Sequence, residues 1–190
     1  DCFTEWEHMQ GIEGIKFGLE RLDQIMSPGL LPSQVMLVLA KTGSGKTILT
    51  LNLFHRMLML NPELKILFVS LEQTRSEWFE RARRIHRFYD LTATENDTLN
   101  FYRNNLMLMD KNRITEEELV SCIEQYEFER GKKPDLIAVD YLGYWARSYK
   151  GDAYERTSQA IMSMKAIAKD QQVAFFAPHQ VSRMADFGDE

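Results

Sequence analysis

The chain has 190 residues, a formal net charge of −5, and 44% hydrophobic against 27% charged residues, a composition that suits one α/β domain and argues against a disordered, collagen-like or coiled-coil chain. No run approaches the roughly 20 apolar residues of a membrane span, because Ser, Thr, Asn, His or Arg interrupts the longest ones. Cys2 and Cys122 stand far apart without neighbouring metal ligands, which speaks against a disulfide scaffold or zinc finger and for a reducing compartment.

In chain order, the apolar run 35–40 reads as a strand. It is followed by a Gly-rich loop and a Leu- and Met-rich helix over 46–60, stopped by Asn61-Pro62. Residues 66–71 form a second strand, and Thr74-Arg75-Ser76-Glu77 opens a helix to about Phe88. That helix carries Arg75, Arg81, Arg83, Arg84 and Arg87 among Trp78, Phe79, Ile85 and Phe88, and the spacing of its aromatics points to a core face beneath a basic surface. Residues 91–100 lack periodicity and read as a loop. A short strand at 106–109 precedes a helix capped by Thr115 with Glu118 and ended by Gly131. Then come a strand over 136–141, a helix from Asp152 or Ala153 to Gln171, and a last strand over 173–177. Near-continuous apolarity marks strands buried on both faces, and the alternation of strands and helices implies a doubly wound, mainly parallel sheet. Most of the ten Met residues sit inside these apolar runs and read as core filling.

Ala40-Lys41-Thr42-Gly43-Ser44-Gly45-Lys46-Thr47 fits the spacing of a P-loop, with Ala where the first Gly usually stands. Glycines let successive N–H groups curl inward toward phosphates, and the following helix adds its positive dipole end. Lys46 is then expected to reach the β- and γ-phosphates of ATP, and Thr47 to ligate Mg²⁺. Asp140 closes the apolar strand 136–140, where a carboxylate calls for a cation, and is the expected Mg²⁺ organiser beside Thr47. Glu72 ends another apolar strand, and in an open parallel sheet the carboxyl ends share one edge. It is placed to polarise the attacking water. The last strand carries Pro178-His179-Gln180 to the same edge. Gln180 there either senses the γ-phosphate or is a turn residue, and His179 is more often a packed histidine than a base.

These residues resemble a known family, the RecA-like ATPases, and within it the C-terminal motor domain of DnaB-type replicative helicases. The likeness runs through Gly14-Ile15-Lys16-Phe17-Gly18-Leu19-Glu20-Arg21-Leu22-Asp23, Pro28-Gly29-Leu30, the P-loop, Phe68-Val69-Ser70-Leu71-Glu72, the segment from Asp135 to Leu142, and His179-Gln180-Val181-Ser182-Arg183. The family's Ser-Gln-Leu-Asn-Arg is His179 to Arg183 here, and the Gln after its Asp-Tyr-Leu is Gly143. The resemblance implies that Glu72 is the catalytic glutamate, Asp140 the second nucleotide-binding acid, and Gln180 the switch from γ-phosphate to DNA-contacting loops. It also implies a ring, a hexamer in this family, working on single-stranded DNA, with primase or a helicase loader as further partners. The location it implies is the cytoplasm of a bacterial or phage-infected cell.

The expected organisation is a single RecA-like domain over 1–190, truncated at both ends: the chain opens at Asp1 without Met, and the family's arginine finger and further strands lie beyond its last motif. Isolated, such a fragment is expected to hydrolyse ATP weakly or not at all. Arg147, Lys150 and Arg183 are candidate DNA contacts or ordinary surface charges. Two other functions fit parts of the pattern, a recombination or regulatory ATPase of the RecA, RadA or KaiC type, and a non-motor nucleotide switch that holds an oligomer together. Gln73, where KaiC-like proteins carry a second glutamate, favours the helicase branch over the first. Glu72, a water-polarising acid, argues against the second.

Overall fold

The apolar runs fold into β1 (Val35–Lys41), β2 (Ile66–Ser70), β3 (Leu106–Asp110), β4 (Leu136–Asp140) and β5 (Ala174–Val181), in a computed structural model that describes residues 13–181 except residue 42. They make one five-stranded sheet of order β1-β5-β4-β2-β3, with every neighbouring pair parallel. Around it lie α1 (Glu20–Ile25), α2 (Lys46–Leu60), α3 (Arg75–Tyr89), α4 (Glu95–Arg103), α5 (Glu116–Arg130), α6 (Leu142–Ala146) and α7 (Ala153–Gln171).

The chain crosses the sheet outward from β1 through β2 to β3, then returns through β4 to β5. Right-handed crossovers require the helices to change face when the direction reverses, and they do. Leu51, Phe54 and Met57 of α2, Trp78 and Ile85 of α3 and Tyr102 of α4 pack with Ile66, Phe68, Ala138 and Phe176. On the opposite face, Ile123 and Tyr126 of α5, Trp145 of α6 and Met164 of α7 pack with Leu67, Val69, Val139 and Phe175. Successive strand residues thus feed opposite cores, which is why the central strands read as unbroken apolar runs. On the first face, Phe176, Phe54, Phe68 and Trp78 form a chain of edge-to-face rings 5.1 to 5.5 Å apart. That face also buries His55, whose Nδ1 lies 3.0 Å from the Tyr102 hydroxyl. Burial first, then the neighbouring His86, push its pKa down to about 4 and keep the ring neutral.

The helix starts follow their caps. Thr74, Thr115 and Asp152 each form a reciprocal capping box with the Glu three residues on. Residues 91–100, expected as a loop, instead contain most of α4. Thr94 and Asp97 form a further capping box there, and only Thr98 and Tyr102 are fully buried, with Phe101 half-buried against the same core, so two adjacent aromatics carry the apolar signal and set no helical period. The short helices α1 and α6 also lie in stretches without a helical pattern. In α3, Trp78, Ala82 and Ile85 are buried as expected, whereas Phe88 is 78% exposed and belongs to no core.

Two strands depart from expectation. β1 lies at the sheet edge, and Leu39 is 62% exposed, so it is not buried on both faces. β5 continues beyond residue 177 through Pro178. Its N–H groups alternate in direction, Phe175 donating to Gln34 on the β1 side and Ala174 to Asp135 on the β4 side. Pro178 therefore points toward β4, where pairing has already ended at Ala138 and Phe176. A residue without an N–H removes no ladder bond there.

Candidate active site

The early end of β4–β5 pairing matters because β5 remains joined to β1 as far as Lys41 and Val181. The sheet splits at its carboxyl edge, between Asp140 and Gln180. In open α/β sheets such a carboxyl-end crevice is where ligands bind.

On the β1 side of the split, the loop into α2 is built on glycine geometry. Gly43 and Gly45 have φ of +77° and +83°, and no atom lies within 4 Å of where their Cβ would be. The left-handed backbone itself, rather than crowding, calls for glycine. Ser44 closes the turn by donating to the Lys41 carbonyl from both its N–H, at 3.3 Å, and its Oγ, at 2.7 Å. Gly45 is the N-cap of α2 with no side-chain cap, so the helix presents its first N–H groups at an exposed loop, an arrangement suited to anions. Lys46 and Thr47 follow, each half-buried. Ala40 and Lys41 end β1, while Thr42 lies outside the described residues.

On the other side stand the carboxylates. Ser70 of β2 is in register with Asp140 of β4, and the Leu71 N–H donates to the Asp140 carbonyl at 2.8 Å. Ser70 Oγ accepts from the Gln73 N–H at 3.2 Å and donates to its carbonyl at 2.7 Å. This clamp fixes the turn on which Glu72 steps out into solvent. Asp140 is only 1% exposed, and its Oδ1 is buried with no hydrogen-bond partner. Burial, and after it the charge of Glu72, raise its pKa to about 6 against the pull of Lys46 and Arg81. Gln180 is in register with Ala40 at the root of the loop. His179 is half-buried with an unpartnered Nδ1, and burial followed by the Lys46 charge lower its pKa. Lys46 itself places its Nζ 4.1 Å from the centroid of the Tyr141 ring. Beside it, Tyr141, Arg147, Tyr154, Arg156, His179 and Gln180 line a cleft of about 500 Å³ between β5, α6 and α7.

Among the described residues, no group of three or more His, Cys, Asp or Glu gathers to hold a metal. A lone buried carboxylate at the phosphate loop is compatible with Mg²⁺, which is usually held by one or two carboxylates together with phosphate oxygens and water. The orphaned Asp140 Oδ1 is the atom such an ion would satisfy.

An uncompensated carboxylate is costly to the fold. Its folded pKa lies above its unfolded one, so the cost is fully present above about pH 6 and is relieved as the pH falls toward the unfolded value near 4. Asp140→Asn is accordingly expected to stabilise the chain at pH 7 by on the order of 2–3 kcal/mol. Chemical denaturation of both proteins at pH 7 and pH 4.5 tests this, and the gap between them should narrow to about a third at the lower pH.

The family model of the DnaB-like helicase C-terminal domain matches residues 14–188. The chain belongs to this family. It is 26% identical over 199 residues to the replicative DNA helicase DnaB of Haemophilus influenzae, covering 96% of this chain and 42% of that protein. Against the DnaB of Mycoplasma genitalium it is 26% identical over 189 residues, covering 90% of this chain and 40% of that one. The chain thus spans less than half the length of these relatives. A solved DnaB-like replicative helicase, described with its interactions with primase, superposes with a TM-score of 0.77 at 20% identity, covering all of this chain and 50% of that one. A second solved ATPase domain gives 0.76 at 22%, covering 96% of this chain and 69% of its own. The shared fold is the RecA-like α/β domain.

For a DnaB-type domain, two residues escape the sequence reading. Arg81 is there only a surface or packing charge, yet its field reaches Asp140. Its signal is positional, since it lies on the helical face of Trp78 and Ile85, which point into the core. Tyr141, read as the end of a strand, is the ring against which Lys46 rests. Ser182 and Arg183 of the last motif lie outside the described residues. Among those described, no helix is long and apolar enough to cross a membrane.

Proposed function

We propose that this chain is the ATP-binding and ATP-hydrolysing motor domain of a replicative DNA helicase, working in a ring on single-stranded DNA in the cytoplasm of a bacterial or phage-infected cell. The observation that carries the reading is the conjunction at one sheet edge of the P-loop lysine, a buried carboxylate with an orphaned oxygen, and an exposed carboxylate pinned beside it.

In this reading the N–H groups of the loop over 43–47 hold the phosphates of ATP, and Lys46 neutralises charge on the β- and γ-oxygens. Thr47 and Asp140 hold Mg²⁺, which offsets charge across the phosphates when bound. Glu72 accepts a hydrogen bond from the attacking water and takes its proton as the bond to the γ-phosphorus forms and the β–γ bridge breaks, leaving ADP and phosphate. Gln180, at the root of the loop on β5, is proposed to report the γ-phosphate to the segment that follows it. Arg147 at the cleft is a candidate contact for DNA phosphates. A contact with primase, as described for the solved neighbour, or with a helicase loader, is a further proposal.

The test is ATP turnover by the longer polypeptide with and without single-stranded DNA. Turnover accelerated by single strands is the expected result. Tight Mg-ATP binding with no turnover under either condition would replace the motor by a nucleotide clamp.

A further inference from the structure

The charge of Lys46 acts on Asp140, yet no salt bridge among the described residues involves it. Its ammonium instead sits over the Tyr141 ring, 4.1 Å from the centroid. The strand order places Tyr141 two spacings, roughly 10 Å, from the strand that launches the loop. The lysine therefore reaches sideways along the sheet edge, across β5, to meet the ring.

The ring is held there by its surroundings. It packs edge-to-face on Tyr144, with centroids 4.8 Å apart, and the Arg147 guanidinium covers Tyr144 in turn at 4.3 Å. Gly143 makes the placement possible, because a Cβ at that position would lie 2.5 Å from Cε2 and 3.1 Å from Cδ2 of the Tyr141 ring. Any side chain at 143 displaces the ring, the movable partner in that clash.

We propose that Tyr141 is a positioning residue for Lys46: its ring and the phosphates of a nucleotide are rival partners for one ammonium, so the ring, admitted by Gly143, lowers the affinity for nucleotide. The proposal rests on the nucleotide-site reading above. A lysine held on the ring must leave it to reach the phosphates, and the fraction held is subtracted from the binding-competent population. Removing the ring then tightens binding, the opposite of what structural damage does.

The experiment titrates Mg-ATP into the wild-type chain and into Tyr141→Leu, Tyr141→Phe and Gly143→Ala, following the Kd and the NMR signal of the Lys46 ε-methylene protons. In the wild type those protons are shifted upfield by the ring current, and saturation with Mg-ATP removes the shift. Tyr141→Leu and Gly143→Ala lack the shift at the outset and bind about threefold more tightly, while Tyr141→Phe, which keeps a ring, behaves as wild type. Absence of the upfield shift, its persistence at saturation, or equal or weaker binding by Tyr141→Leu and Gly143→Ala would overturn the proposal while leaving the nucleotide site intact. A wild-type chain that shows the shift but takes up no Mg-ATP would overturn the nucleotide-site reading, and the rivalry with it.

Discussion

Replacing Glu72 by Gln is expected to lower ATP turnover by about 10²–10⁴-fold, the range associated with a positioned general base, while leaving Mg-ATP binding undiminished. The amide keeps the size of the side chain, and the turn that carries it is held by backbone contacts, Leu71 N–H to the Asp140 carbonyl and the Ser70 clamp on Gln73. Only the capacity to take a proton is lost. A second consequence separates this from local damage. The charge of Glu72 helps to raise the Asp140 pKa, so its removal makes Asp140 a better anion and favours Mg²⁺. Steady-state turnover and equilibrium binding on the same preparation check both halves. Turnover within tenfold of wild type would remove Glu72 from the chemistry, and a parallel loss of binding would assign it to the pocket instead.

The fold was legible where one residue pattern serves one structural demand. β2 and β4 are buried on both faces, so their apolar runs announce them, and the threonines at 74 and 115 mark helix starts by a local hydrogen-bond exchange. Legibility failed where the demand came from elsewhere in the molecule. Residues 95–103 are helical although one of their two fully buried positions is Thr98, which faces His86 at 3.1 Å. An apolarity pattern cannot register a polar contact of that kind. The exposure of β1 follows from its place at the sheet edge, which no property of its own residues reveals. Pro178 argues against a central strand until the split from β4 is known.

The site divides in the same way. That Lys46, Thr47, Glu72, Asp140 and Gln180 share one edge was readable, because each stands at or beside the carboxyl end of a strand and a parallel sheet gathers those ends together. What the edge does with them was not readable. The elevated pKa of Asp140 depends on how deeply β4 is covered, the reach of Arg81 on how α3 packs, and the ring beneath Lys46 on a glycine at 143. These are contacts between segments distant in sequence or turned against one another, and they leave no spacing to read.

The central claim is that the loop between β1 and α2 holds the phosphates of a nucleotide, and Lys46 is its most exposed dependency. The Lys46 ammonium is the P-loop cation expected at the β- and γ-phosphates, and hydrogen bonds between ions contribute about 1.5–3 kcal/mol each. With two phosphates to serve, Lys46→Ala should weaken Mg-ATP binding by on the order of a hundredfold or more. The fold should survive, since Lys46 is half-buried at the first turn of α2 and joins neither core. The most direct measurement is a calorimetric titration of Mg-ATP into the wild-type chain and Lys46→Ala, with matched thermal midpoints to certify that both are folded. Saturable binding by the wild type that collapses in the variant is the predicted result, and equal affinity in the two proteins would contradict the account.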